Sequence, residues 1–547
     1  MADITEPAID NFNIHRLLRA IDLNTLLSKL PPNQQAQPKE VFVENLPAAL
    51  ANTDGDNYEF LLENTQKLLE SCSIFFDFSP NRPHQNLLTY SGSAEKDMAL
   101  LRQKVNEGLK VRYETVTEQI SNRIEKELQT ISQMNFVAFF LVNWDIIQFC
   151  KRMNFFHVGR GSGANSIVAY LLFITDVDPI ELDLYFERFM NLFRTSPPDF
   201  DIDFSWRDRN TVTQYIFDRF GQHNQVALLA TYNTFQRSGA VRELGKVFGL
   251  PKHEIDSLSD GNYVYEKLDA IPQLILRYAQ RIHGMPNHLS VHSSGILIAE
   301  KNMHFFSATD LPPKGFPTVQ FDMVIAENVG LYKYDILAQR GLSKIKDSLE
   351  IIKNNHPEAP EIDIHNVKAF LKDPRINAKI SQAQCIGCFY VESPAMRMLL
   401  RKLEVNNYLA LVAASSIIRP GVAQSGMMRE YILRHRDPER RKQAHPIMWD
   451  LMEETYGVMV YQEDVIKVAH KFAGLGVAEA DVLRRGMSGK FRSTEEFQKV
   501  QLQFIENCRK MGHPEKITHE VWGANKAFHR SFCLAKHADK YFHEIRS

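Results

Sequence analysis

Between Pro198 and Phe204 acidic and apolar residues alternate without interruption: Asp199, Asp201 and Asp203 interleave with Phe200, Ile202 and Phe204. A period of two belongs to a strand, whose successive side chains leave on opposite faces. The pattern predicts a strand over 199–204 with the aromatic and isoleucyl groups turned to a core and the carboxylates turned away from it. On a helix, residues two apart do not share a face and the acids would scatter. On a strand such neighbours lie about 6.6 Å apart. From there two carboxylates reach a shared pair of divalent cations about 3.5–4 Å apart. Asp203 lies about 13 Å along the strand from Asp199, too far for both to serve one pair of ions. Without a cation the row repels itself and resists ionisation. For this motif alone the alternatives are a solvated acidic edge strand and a calcium loop, and the latter lacks the glycine that an EF-hand needs at its sixth position.

A second alternating run, Leu331 to Leu337, puts Lys333 and Asp335 on one face and Tyr332, Tyr334 and Ile336 on the other. Beside the first strand in a sheet, Asp335 would complete a three-carboxylate cage with Lys333 near substrate phosphates. Taken singly, the segment also reads as a surface Lys/Asp pair on an edge strand. The remaining pattern predicts a helical piece and a polar linker within residues 1 to about 60 and charged helices over 94–135. An apolar helix from Phe136 to Phe149 and a short strand from Phe155 to Val158 follow. Amphipathic helix is predicted from about 208 to 280, a second set of strands over 294–337, and mainly helix from about 345 onward.

Between the apolar helix and the acidic strand lies Val158-Gly159-Arg160-Gly161-Ser162-Gly163-Ala164-Asn165-Ser166, followed by an apolar run. Strand, glycine loop and helix start would aim backbone N–H groups and a helix dipole at an anion. Ser162 offers a hydroxyl, and Arg160 a guanidinium that can grip a phosphate with two hydrogen bonds. The loop is neither a Walker A sequence nor the dinucleotide fingerprint.

Composition narrows the class. At 547 residues the chain should hold several domains. A hydrophobic content of 44% with 24% charged residues is that of an ordinary globular protein. The opening residues MADITEPAID, acidic and without an apolar run, are not expected to act as a secretory leader, and no apolar run approaches the ~20 residues of a bilayer span. Six cysteines in so long a chain do not form a disulfide framework, which points to a reducing cytoplasm. Cys385 and Cys388 form a C-x-x-C without a second ligand pair nearby, and read as structural. The net charge of −2 does not advertise nucleic acid, but 429–442 and 483–492 are locally basic, either solvated faces or contacts to a polyanion.

Six segments in order, GRGSG (159–163), PDFDIDF (198–204), KYDIL (333–337), IIRPGVAQSGM (417–427), TYGVMVYQEDV (455–465) and LRRGMSGK (483–490), resemble those of the bacterial DNA polymerase III alpha subunit family, the C family of replicative polymerases. The resemblance spans roughly residues 60 to 530. It implies an α/β (α+β) architecture: a nucleotidyltransferase-like palm sheet, an inserted helical thumb and mainly helical fingers. The expected divisions are a helical and linker remnant at 1–65, palm at 66–230, thumb at 231–290, palm again at 291–345 and fingers at 346–547. By resemblance, Asp199, Asp201 and Asp335 are the catalytic metal ligands, holding two Mg²⁺ ions or Mn²⁺ in their place. Gly161, Ser162, Lys333, Arg484, Arg485 and His292 are nucleotide-site residues. The implied partners are primer–template DNA, dNTPs and other replisome subunits, in the cytoplasm and away from membranes.

The chain also departs from that pattern. His15 and His84 are the only histidines in the first 150 residues, so the metal-binding phosphoesterase-like domain is expected to be absent. Register against the family is lost after Cys533, which leaves Lys536 open as the lysine facing the triphosphate. The rest of the fingers, the clamp-binding segment and the oligonucleotide-binding domain are expected to be missing. The expected activity is template-directed DNA synthesis. Its alternatives are a catalytically silent DNA- or partner-binding remnant and a template-independent nucleotidyltransferase.

Overall fold

The computed structural model describes residues 9–35, 55–73, 75–79, 82–191, 198–364, 367–418, 426–487 and 494–523. They fall into two compact units. The smaller comprises Met1–Ser79, Ala230–His292 and Gln320–Ile325, and the larger Pro80–Leu229, Ser293–Val319 and Ala326–Ser547.

The described residues form a seven-stranded mixed sheet. Its strands are β1 (His157–Arg160), β2 (Asp201–Ser205), β3 (Val226–Thr234), β4 (Pro286–Ile298), β5 (Thr309–Asp310), β6 (Thr318–Val319) and β7 (Lys333–Gln339). Their spatial order is β1-β2-β7-β4-β3-β6-β5. β2 lies between an antiparallel neighbour, β1, and a parallel one, β7, while β4 runs antiparallel to β7 on its other side. The predicted inward residues Phe200, Ile202 and Phe204 are all buried, as are Tyr334 and Ile336 of β7. Helix Val137–Arg152, apolar almost all round, packs on this face. Phe139 stacks on Tyr334 at 4.6 Å and on Phe200 at 5.8 Å, and Phe140 and Phe189 close on Phe200 at 5.1 and 4.9 Å. Helices Arg209–Phe220 and Arg340–Asn355 are tied to the same strands by polar contacts. Arg209 donates to the Ile336 and Ser293 carbonyls, and Ser205 shares a 2.7 Å hydrogen bond with Ser343.

Helical structure dominates after residue 340 and encloses its own core, in which Leu399, Leu400 and Leu403 meet Val465, Ile466, Phe472 and Phe504. In the smaller unit, Ile14, Leu17 and Ala20 of helix Ile9–Asp22 share a core with Ala240, Val241 and Leu244 and with Ile275, Tyr278 and Ile282. Spacings of three and four residues recur in these sets, which turns one face of each helix inward.

Two expectations about local structure need correction. The stretch from 208 to 280 is not continuously helical: β3 interrupts it, with Val226 to Ala230 buried in succession. A strand covered on both faces reads as an unbroken apolar run, which periodicity cannot tell from a buried helix. The first strand is His157–Arg160 rather than 155–158, so Arg160 is a strand residue and not a loop residue.

Close approach of two helices depends on Gly108. A Cβ there would lie 1.9 Å from the Leu171 carbonyl oxygen, which is backbone and cannot rotate away. Gly108→Ala is therefore expected to destabilise the chain by about 1–3 kcal/mol or more despite its better helix propensity. Urea unfolding measures it, and a neutral or stabilised variant would show that the two helices separate freely.

Candidate active site

β2 and β7 pair in parallel with Asp201 opposite Asp335, so the two acidic faces coincide. Asp199 precedes β2, and one carboxylate oxygen from each of Asp199, Asp201 and Asp335 lies within 4.8 Å of the others. Lys333 sits among them, its Nζ 3.0 Å from Asp199 and also paired with Asp335. Ser294 of β4 donates to Asp335 Oδ1 at 2.7 Å. Three carboxylates face one ammonium here, and Arg160 is shared with Asp203. The excess negative charge and the all-oxygen donor set suit a hard divalent cation.

Electrostatics follow from this crowding. Burial, then the Asp199 charge, pushes the Asp201 carboxyl up to about 7 against the pull of Arg160. Asp199 is raised too, by burial and by Asp335, with Lys333 opposing. Burial works against the Lys333 charge, yet Asp199 and Asp335 outweigh it and hold the ammonium firmly protonated. These are carboxylates that bind protons when no stronger cation competes.

The glycine loop lies against this cluster. Gly161 has φ +82°, and a Cβ there would come 2.8 Å from Asp201 Oδ2, so only glycine fits beside the carboxylate. Ser162 is half-buried, its carbonyl accepting from Asn165 Nδ2 at 2.9 Å. Two expectations for this loop do not hold. Arg160 does not point to an external anion: it is 3% exposed and donates to Asp203 at 2.6 Å and Asp201 at 3.3 Å. Nor is the start of helix Ile167–Leu171 left for a ligand. The Ile167 and Val168 amides donate to the buried carboxylate of Glu127, and the Ala169 amide donates to Ser166 Oγ.

Asp203 is buried with Arg160 as its partner, rather than displayed with the other acids. Its role was hidden in the sequence because the strand pattern shows a face and not what covers it. Glu127 left a signal: it falls within the apolar stripe Ile120, Ile124, Leu128 and Ile131, where a charged residue needs a reason.

Comparison with known proteins bears on this arrangement. The Bacterial DNA polymerase III alpha NTPase domain family matches residues 99–338, and the Bacterial DNA polymerase III alpha subunit finger domain family matches 341–512. The chain belongs to the bacterial DNA polymerase III alpha family. It is 32% identical over 503 residues to the DNA polymerase III subunit alpha of Bacillus subtilis, covering 87% of this chain and 44% of that protein. The corresponding protein of Halalkalibacterium halodurans is 31% identical over 504 residues, with 87% and 44% covered. An Error-prone DNA polymerase of Symbiobacterium thermophilum is 30% identical over 581 residues, with 98% and 51% covered. The chain thus spans about half the length of these curated relatives.

Within the matched alpha-subunit domains, both acidic strands and the glycine loop fall in the NTPase segment, and the two arginines in the finger segment. Arg484 and Arg485 lie on helix Val477–Met487 and both pair with the fully buried Asp481. Arg484 also donates to Gln462, whose same oxygen accepts from Arg188, and Arg188 pairs with Glu463. His292 lies on β4, three residues before Gly295, the register partner of Asp335. The basic stretch 429–442 is largely engaged internally: Arg434 and Arg440 pair with Glu430, Lys442 with Glu439, and Arg441 donates to two helix-end carbonyls. Most of the 417–427 segment, Lys490 and Lys536 lie outside the described residues.

Two outcomes follow. A carboxyl raised to about 7 holds its proton in the folded chain at pH values where the unfolded chain has lost it. Its contribution to stability therefore falls as pH rises from about 4 to 7, and a divalent cation must displace the proton. Mn²⁺ binding is expected to release protons near pH 6 but not at pH 8.5, and to tighten with pH between them. Isothermal titration in buffers of different ionisation enthalpy reads this directly, and pH-independent binding without proton release would contradict the assignment. Asp203→Asn should leave Mn²⁺ affinity nearly intact but lower stability by about 3 kcal/mol in urea unfolding, since the buried Arg160 guanidinium loses the nearer of its two carboxylate partners.

Proposed function

We propose that this chain catalyses template-directed transfer of a nucleotidyl group from a dNTP to a primer 3′-hydroxyl, in DNA replication. A new bond forms between the 3′-oxygen and the α-phosphorus as the bond to the pyrophosphate oxygen breaks. The observation that carries the reading is the meeting of Asp199, just ahead of one strand, with Asp201 and Asp335 on two paired strands beside a glycine loop. The three carboxylates would hold two Mg²⁺ ions, with Mn²⁺ able to substitute. When bound, such ions lower the energy of the attacking oxygen and of the leaving pyrophosphate.

The chain's own groups do the rest. Asp201 and Asp335, locked in register by the sheet, keep their oxygens pointed at one place without rearrangement. Gly161 and Ser162 would receive the triphosphate, and Lys333 would neutralise part of its charge. Arg484 and Arg485, anchored by Asp481, would present positive charge to the nucleotide from the fingers, and His292 would stand at the nucleotide's edge. Primer–template DNA and dNTPs are the proposed substrates, with other replisome subunits as partners. Among the described residues no helix is long and apolar enough to cross a membrane, and a cytoplasmic setting agrees with that.

A primer-extension time course with and without template tests the proposal. Extension that needs the template supports it. Template-independent addition would indicate a terminal nucleotidyltransferase, and absence of extension with retained duplex binding would indicate a silent remnant. Asp201→Asn keeps side-chain shape and removes only charge, so extension should fall about a thousandfold or more while the thermal transition stays cooperative. Full activity in that variant would remove Asp201 from the site.

A further inference from the structure

The glycine loop is fastened from behind by an ion pair that faces no ligand. Helix Glu118–Gln133 presents Glu127 to the turn between the loop and helix Ile167–Leu171. Glu127 is fully buried, and its two oxygens accept from Ser166 Oγ at 2.7 Å, Ile167 N at 3.1 Å and Val168 N at 3.2 Å. Arg123, one helical turn earlier, donates from Nε to Glu127 at 2.7 Å. From Nη2 it also donates to the Asn165 carbonyl at 2.8 Å and the Leu184 carbonyl at 3.0 Å. Asn165 in turn donates to the Ser162 carbonyl. A continuous chain of hydrogen bonds therefore runs from Arg123 and Glu127 through Asn165 to the residue proposed to touch the triphosphate.

Burying a carboxylate is unfavourable unless it is paired and fully hydrogen-bonded. Burial indeed pushes the Glu127 carboxyl up, while Arg123, Ser166 and the Ile167 amide oppose it. A leucine at this place in the apolar stripe would fill the core but leave the Ile167 and Val168 amides without partners.

We infer that Glu127 and Arg123 are positioning residues: they lock the loop 161–165 in the shape that receives a nucleotide triphosphate at Gly161 and Ser162. This rests on the reading of those two residues as triphosphate contacts. Neither side chain touches the carboxylate cluster, so their loss should change nucleotide binding and leave cation binding alone.

The test uses the whole 547-residue chain, with Mn²⁺ alone and then dATP plus Mn²⁺ as probes. Glu127→Gln presents an amide NH₂ to donors that need an acceptor. It is expected to weaken dATP binding about tenfold to a hundredfold while the Mn²⁺ Kd stays within about twofold. Hydrogen exchange across 161–168 should quicken in the same variant. Arg123→Lys, which keeps the charge but cannot fork to Glu127 and both carbonyls, should move both readouts the same way by less, and serves if Glu127→Gln does not fold. Lower thermal stability with unchanged dATP affinity and unchanged exchange would overturn the inference. Gly161→Ala separates the two readings. If it leaves dATP binding unaltered, or if the native chain binds no dATP, the triphosphate reading fails and the nucleotide part of the inference with it. Faster exchange in Glu127→Gln would then support only the locking of the loop.

Discussion

Two like charges set side by side on adjacent strands are the constraint on which this molecule turns. Asp201 and Asp335 are register partners in a parallel pair, an arrangement that opposes sheet formation. What holds the strands together lies on their other face, where Phe200, Ile202, Phe204, Tyr334 and Ile336 are buried, with the rings of Phe139, Phe140 and Phe189 packed against Phe200. Burying each such side chain contributes about 1.5–3 kcal/mol, enough in sum to keep two carboxylates where they repel. The repulsion is stored in a rigid frame and is relieved by whatever cation enters.

The fold supplies part of that relief itself, and unevenly. Arg160 lies behind the cluster, committed mainly to Asp203, while Lys333 reaches into it between Asp199 and Asp335. One cation is thus held behind the carboxylates and the other among them. The same device appears in reverse at the glycine loop, where Glu127 fills a positive helix start.

In the finger segment, positive charges that look available in the sequence are spoken for in the structure. Arg484 and Arg485 converge on Asp481, and Gln462 joins Arg484 to Arg188, which precedes the acidic strand in the chain. Asp481 is fully buried, so it needs these guanidinium groups as its counter-charge, and stripping them from it would strand a buried carboxylate. In 429–442 the pairing with Glu430 and with helix-end carbonyls makes the basic run a feature of helix packing first.

Alternation of residue types was sufficient to place Asp201, Asp335 and Lys333 on strands and to turn their apolar neighbours inward, although the first strand begins at Asp201 and leaves Asp199 just ahead of it. The family could be read from the order of short motifs for the same reason: side-chain chemistry and spacing are written in the chain. Which strand lies beside which is not. Asp201 and Asp335 meet only because the sheet pairs β2 with β7 across a long intervening segment that itself contributes β3 and β4. The partners of Arg160, of Glu127 and of the finger arginines were likewise decided by packing, since an ion pair depends on distance in space and on exclusion of water. A period of two or of 3.6 tells which way a residue faces. Only the tertiary structure determines what it faces.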